Sequence, residues 1–478
     1  MHPVDLTIFI VYIIGLLAFG YFFFRKNESG DDYYVGGRKM NSLHIGLSVV
    51  ATDVGGGFSI GLGGLGFVMG LSGSWMLFTG LVGAWLAAVF LIPKVKGNPA
   101  FDKAYTFPQL FGHHYNANVA FVAAIISAIG YAGFTSSQML AGAKLASGTF
   151  ADLDLQTALY IMGIVAVLYT VLGGLKAVIY TDTVQWALLM FGLLFVGIPI
   201  SYVEIGGIDA IRSTVDPAML TLTNVSWQEI VYWAVTIIPI WFVGMTLYQR
   251  IYACRDEKTA KKAWYFAGLF EWPVMAFLGV LLGLFARVAA DQGMFDYLGA
   301  ADISDTDPET GLPMLLRTVL PVGFLGIMMA AYFSAILSTA DSCLMASSGN
   351  VVTDLIGRFR TFDSESSGFV KTSQIVTLII GALALLLAST MENVLTLMLD
   401  SYAFMVSGLF VPVIGALYWH KSTPAGAMAA MIIGGSTTLS LRYLEVNLPY
   451  DLDPNLFGIT ASAIAFVGVS LMTTTKQE

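Results

Sequence analysis

The chain has 478 residues, of which 56% are hydrophobic and only 12% charged, and its mean hydropathy is +0.75. A soluble domain carries about 25% charged residues, so a water-soluble enzyme is excluded, and the net charge of −9 argues against nucleic acid as a partner. Fifty glycines and 21 methionines suit helices packed closely in lipid, and no structural disulfide is expected between Cys254 and Cys343.

Hydropathy predicts an all-α integral membrane protein of about thirteen spans, each near the ~20 residues that cross a hydrocarbon core. They fall near 6–24, 43–71, 74–93, 117–147, 157–174, 178–203, 227–249, 264–289, 314–355, 372–390, 394–419, 424–443 and 456–474. The first begins MHPVDL without a basic n-region and runs into RKNESGDDYY, so it reads as a membrane helix and not a cleavable signal.

The second span, SLHIGLSVVATDVGGGFSIGLGGLGFVMGL, breaks the rules of lipid physics. Asp53 sits in mid-span, where a charge costs at least ~2.5 kcal/mol, and Gly55, Gly56 and Gly57 follow, each weakening a helix by about 1 kcal/mol. Irregular backbone at that depth survives only when buried in protein or lining a wet cavity. A helix broken at 51–57 is expected, with its freed carbonyls open to a cation.

In the sixth span Asp182 lies about one turn from the start, a place the helix dipole favours for an acid. The seventh reads IIPIWFVGMTLYQR and carries Trp241; the fourth carries Tyr131 and the eleventh Tyr402. The ninth, MMAAYFSAILSTADSCLMASSGNVVTDLI, is rich in hydroxyls and holds Asp341. At 100° per residue Ala335, Ser338, Thr339 and Ser342 share one face, and Asp341 flanks it. Hydroxyls and a carboxylate are hard oxygen ligands suited to an alkali cation; the bland alternative is that the hydroxyls bond back to their own helix.

With the N-terminus outside, only Lys144, Arg212, Arg287, Arg317 and Arg442 of the 23 Lys and Arg fall on the outer side. The positive-inside rule therefore predicts a cytoplasmic C-terminus. No nucleotide-binding glycine loop, HExxH motif or nucleophile–base pair is present, so no enzyme activity and no organic cofactor are expected.

From DDYYVGGR at 31–38, through TFPQLFG at 106–112 and GGLKAVIYTDTVQ at 173–185, to the serine-rich ninth span and its TDL end, the chain resembles the sodium:solute symporter family. That family includes carriers of proline, sialic acid, pantothenate, glucose and choline. The resemblance implies a LeuT-like fold in one transporter domain: an extra helix at 6–24, inverted five-helix repeats at 43–203 and 227–419, and two further helices at 424–474. It implies a first sodium site built from the carbonyls of Ala51, Val54 and Ala335 with the hydroxyls of Ser338 and Thr339. A second cation arrangement, like that of the sialic acid carriers, aligns with Asp182, Ser338, Asp341 and Ser342, an aspartate standing in for one serine. The solute is expected beside Thr52, Asp53, Gly55, Gly56, Gly57 and Phe58, with Tyr131, Trp241 and Tyr402 as aromatic walls. Choline carriers have a tryptophan at the position of Asp53, and the proline permease shares the aspartate but lacks the triple glycine.

These residues predict a sodium-coupled symporter of the cell (inner) membrane that imports a small polar solute by alternating access, with one or two Na+ and no obligate protein partner. Amino acids, betaines or amines, carboxylates and sugars remain open as solutes. One charge moving down 100 mV supplies ~2.3 kcal/mol, so no ATP is needed. A sensor domain of the same fold would expect a kinase module, which the sequence does not carry. A leak channel would lack trans-stimulated exchange. Because stretches 183–203 and 320–350 hold no Lys or Arg, the sequence further predicts that Asp182 and Asp341 share a mobile cation.

Overall fold

The computed structural model describes residues 2–24, 30–53, 55–150, 153–299, 306–360, 367–444 and 446–474. Among them the only β feature is one bridge between Met40 and Cys254; all else is helix and connection. The principal helices are α1 (Pro3–Phe24), α2 (Ser42–Asp53), α3 (Gly56–Met69), α4 (Trp75–Leu86), α5 (Ala117–Thr149), α6 (Leu155–Gly192), α7 (Trp227–Val243) and α8 (Met245–Ala253). They continue with α9 (Glu257–Leu269), α10 (Ala276–Asp291), α11 (Phe324–Gly349), α12 (Ser367–Ala388), α13 (Val394–Tyr418), α14 (Pro424–Tyr443) and α15 (Pro454–Thr473).

Several helices begin where a side chain takes up orphan N–H groups. Asn116 accepts from Asn118 and Val119, Asp154 from Thr157, Ser226 from Glu229 and Asn393 from Thr396. Each such cap contributes about 1 kcal/mol and fixes the register in which the apolar run enters the bundle.

Three spans differ from their sequence outline. The stretch 314–355 is two helices: Pro308–Val319 ends before a turn at Gly323 (φ +93°), and α11 starts afresh. The seventh span bends by 41° at Gly244, between α7 and α8. The eighth is interrupted between α9 and α10 by a wide turn at Phe270–Met275, where Trp272 is extended (φ −135°, ψ 126°). Pro273 supplies no N–H there, which frees the helix to open.

Helical backbone runs from Leu155 to Gly192, across the turn expected at Lys176. It is nevertheless folded back. Tyr169 Oη lies 3.1 Å from Thr181 Oγ1, although twelve residues of straight helix would separate them by ~18 Å. The segment is therefore sharply bent between Tyr169 and Thr181 and does not run as one straight rod.

Helix α11 is the centre of the bundle. It packs on α5, on both arms of α6, on α1 and on α12, and 89% of its apolar window is buried, against 22% for α15. Its polar residues are thus interior, while α15 presents most of its apolar surface outward, as lipid requires. Close approach by small residues holds α3 to α10: a Cβ at Gly66 would stand 2.2 Å from Val280 O, and one at Gly283 2.0 Å from Gly63 O. Such contacts replace the hydrophobic driving force that lipid removes.

Lys144, near the end of α5, is buried between Asp307 (2.6 Å) and Glu309 (2.7 Å). Tyr33 and Tyr34 of DDYYVGGR are fully buried. Nearby, Thr106 of TFPQLFG donates to Asp354 of the TDL segment at 3.0 Å. These motifs are packing joints.

Candidate functional site

Helix α2 ends at Asp53 and α3 begins at Gly56, so the second span is broken where its glycines stand. The glycines also allow close packing. A Cβ at Gly55 would lie 1.9 Å from Thr339 Oγ1, one at Gly56 2.5 Å from Ala141 Cβ, and one at Gly57 2.4 Å from Met398 Sδ. The break is therefore pressed between α11, α5 and α13, and any side chain there would push the helices apart. Val54 lies outside the described residues, as does the Phe58 side chain.

Across the break, the Thr339 hydroxyl lies 3.2 Å from Ala51 O, 2.9 Å from Thr52 O and 3.3 Å from Ala335 O. Three members of the first expected sodium set, Ala51, Ala335 and Thr339, thus converge. Ser338 Oγ is buried beside them, faces Asp182 and makes no well-formed hydrogen bond. Back-bonding within α11 is present too: Ser342 donates to Ser338 O at 2.9 Å.

The second set is differently partnered than expected. Arg250, assigned from the sequence to the cytoplasmic loop beyond the seventh span, is fully buried on α8. Its guanidinium donates to Ser48 Oγ (3.0 Å), Thr246 O (3.2 Å), Thr52 Oγ1 (2.5 Å) and Ser342 Oγ (2.8 Å), and reaches Asp182 Oδ2 at 3.5 Å. Asp182 also accepts from Ser48 at 2.5 Å. Its partner is thus a fixed cation, which corrects the expectation of a purely mobile one: Arg250 comes from the end of the seventh span, outside stretches 183–203 and 320–350. Asp341 accepts from Thr170 at 2.6 Å and lies within electrostatic range of Asp182. Asp182 Oδ1, Ser338 Oγ and Asp341 Oδ2 are buried without hydrogen-bond partners among the described residues. The bend of α6 brings Tyr169 and Thr170 to this cluster, a juxtaposition no linear motif announces.

Around Asp53 the structure gathers Tyr131, Tyr402 and a residue the sequence reading passed over, Glu271. Glu271 occupies the wide turn between α9 and α10, fully buried, with its carboxyl facing that of Asp53. Tyr131 Oη lies 3.1 Å from Thr246 Oγ1 and accepts from Thr246 N at 3.2 Å, at the bend of the seventh span. Tyr402 packs edge-on against Phe134 at 4.8 Å. Trp241 is fully buried over Gly83 of α4, with its ring 6.4 Å from Trp264. Gln138, also unremarked in sequence, lies against the triple glycine, with Oε1 3.4 Å from Gly57 N. Two helix breaks, one between Asp53 and Gly56 and one at Gly244, thus face one another across Thr52, Arg250 and Tyr131. Interrupted spans in corresponding positions of two halves mark the binding region of inverted-repeat carriers.

The sodium:solute symporter family model matches residues 33–434. The osmoregulated proline transporter OpuE of Bacillus subtilis is 28% identical over 97% of this chain and 94% of its own length. The sodium/proline symporter of Escherichia coli is 26% identical over 98% and 93%, and a sodium/glucose cotransporter of Vibrio parahaemolyticus 25% identical over 99% and 91%. In three dimensions the chain superposes on a sodium-coupled sialic acid symporter in a substrate-bound, outward-open state, with a TM-score of 0.80, 20% identity and full coverage of both chains. That likeness fixes the fold as LeuT-like, and the length of the family match decides the rest: this chain belongs to the sodium:solute symporter family, a sodium-coupled carrier of a small solute and not an enzyme.

Proposed function

We propose that the protein imports its solute by alternating access across the cell membrane, with thirteen spans, the N-terminus outside and the C-terminus in the cytoplasm. The first sodium ion is held by the carbonyls of Ala51, Val54 and Ala335 and the hydroxyls of Ser338 and Thr339. The observation that carries this reading is the convergence of Ala51 O, Ala335 O and Thr339 Oγ1 across the break in the second span. An ion there bridges the first helix of repeat one (43–203) and the third helix of repeat two (227–419). Its binding energy is then available to change their relative position, which couples ion to movement.

The second cation lies among Asp182, Ser338, Asp341 and Ser342. With Arg250 offsetting one carboxylate, the cluster retains a single negative charge, matched by one monovalent ion. The solute binds beside Thr52–Phe58, between Tyr131, Trp241 and Tyr402, and is a small polar molecule, carried without an obligate protein partner.

The test is sodium-driven uptake by purified protein in liposomes. Ser338→Ala with Thr339→Ala is expected to insert normally and to lose sodium activation. Unchanged sodium dependence in that double variant would displace the first site.

A further inference from the structure

Helix α1 belongs to neither expected repeat, yet it touches α11 at matched points along its length. Asp5 is buried, and its Oδ1 accepts from Gly323 N (2.7 Å) and Gly326 N (2.8 Å). Those N–H groups open α11, whose own N-cap, Gly323, has no side chain to take them up. Further along, the Phe9 ring packs edge-on against Phe333 at 5.6 Å, and the Tyr12 hydroxyl meets Ser334 Oγ. Residue numbers rise together in the two helices, so α1 and α11 run parallel in one register.

Tyr12 is also reached from a third helix. Gln185 of α6 donates from Nε2 to Tyr12 Oη at 3.2 Å. Beyond its bend, α6 runs antiparallel to α11. Arg250 Nη2 lies 3.5 Å from Asp182 Oδ2 and 2.8 Å from Ser342 Oγ, whereas a Cβ at Gly192 would stand 2.7 Å from Met328 Sδ. Ser334 comes one turn before Ser338, and Gln185 nearly one turn after Asp182. In antiparallel helices both therefore lie on the same side of the Asp182–Ser338–Ser342 level. The phenol bridges α6 and α11 one turn away from the place where they present the second cation set.

The protons give this bridge a direction. Ser334 donates its single proton to Ala330 O at 2.6 Å, so the phenol supplies the proton of the Tyr12–Ser334 contact. Gln185, Tyr12, Ser334 and Ala330 then form one chain in which Tyr12 both accepts and donates. At the cation set itself, Asp182 Oδ1, Ser338 Oγ and Asp341 Oδ2 have no hydrogen-bond partners among the described residues. The spacing of their helices is thus set from either side, by Arg250 and by Tyr12. Resting on the reading of Asp182, Ser338, Asp341 and Ser342 as a cation site, we propose that Tyr12 is a positioning residue of that site. Its hydroxyl holds α6 and α11 at the separation the ion requires and does not touch the ion.

The experiment is a sodium titration of thermal stability on the full-length protein in detergent, with potassium replacing sodium at constant ionic strength. Tyr12→Phe keeps the ring and removes only the hydroxyl. Half-saturating sodium is expected to rise about fivefold, the worth of one neutral hydrogen bond at ~1 kcal/mol. Gln185→Met breaks the same chain from α6 and should shift the titration likewise. When Asp182→Asn and Asp341→Ser are already present, Tyr12→Phe should produce no further shift, because the site it serves is gone. A residue that only packs would lower the melting temperature in potassium and leave half-saturating sodium where it was. Folded Tyr12→Phe or Gln185→Met protein with wild-type half-saturating sodium would overturn the proposal, and so would a full fivefold shift without the two aspartates. If removing both aspartates leaves the sodium titration unchanged, the second cation site itself is withdrawn, a failure distinct from the other two.

Discussion

Replacing Arg250 by glutamine removes the one fixed positive charge from a cluster that also contains Asp182 and Asp341. Five groups each lose one partner: Ser48, Thr52, Ser342, the carbonyl of Thr246 and the Asp182 carboxylate. Breaking a buried pair from one side costs about 3–5 kcal/mol, because the remaining charge is stranded. Arg250→Gln is therefore expected to lose roughly that much stability in sodium-free buffer. Asp182→Asn alone strands Arg250 in the same way. The double variant removes both charges and should lose about 2 kcal/mol less than the two single losses combined, within the range seen for residues in contact. The assay is reversible unfolding in mixed micelles, with potassium as the only alkali ion so that sodium linkage does not enter. Additivity within about 0.5 kcal/mol, or a single variant as stable as the wild type, would refute the mutual pairing of these residues.

Two further outcomes test the neighbouring sites. Gly55→Ala places a methyl group where Thr339 Oγ1 stands, 1.9 Å from the new Cβ; half-saturating sodium for uptake should rise by about tenfold (1.4 kcal/mol) or more, and an unchanged value would remove Thr339 from the ion path. Asp182→Asn with Asp341→Ser should leave transport running with a lower sodium Hill coefficient and less charge moved per solute, measured as current and flux on proteoliposomes. An unaltered charge-to-solute ratio would return both aspartates to structure.

What the sequence made legible were features that violate a local rule. Three glycines after a mid-span aspartate announced the break between Asp53 and Gly56, and three hydroxyl residues on one helical face, flanked by Asp341, announced the side of α11 that meets it. Arg250 was hidden because it follows an apolar run and looks like a loop charge that marks the cytoplasmic side; only the bend at Gly244 turns it inward. That bend was itself masked, since IIPIWFVGM keeps its hydropathy through Pro239 and Gly244. Glu271 disappeared for a related reason: one carboxylate among Phe, Trp, Pro and Val scarcely lowers a window average. Tyr169 and Thr170 reach Asp341 through the fold-back of α6, and Gln138 reaches the glycines across two helices. Contacts of that kind depend on how helices are stacked, which periodicity within one helix does not encode.

The position of Thr339 has a consequence that follows from counting hydrogens. Its side chain owns a single hydroxyl proton, yet three backbone carbonyls stand within 3.3 Å of that oxygen. One of them can take the proton. The others, together with the hydroxyl's own lone pairs, face oxygen with oxygen. Ala51 and Thr52 contribute because they close α2, where the last carbonyls of a helix have no N–H of their own to accept from. The seam between α2 and α11 is accordingly electron-rich at Thr339, where apolar packing alone does not pull it shut. On the proposed reading of this place as the first sodium site, something small and positive arriving from solution would make the arrangement comfortable, so oxygens that repel one another in its absence would be drawn together in its presence.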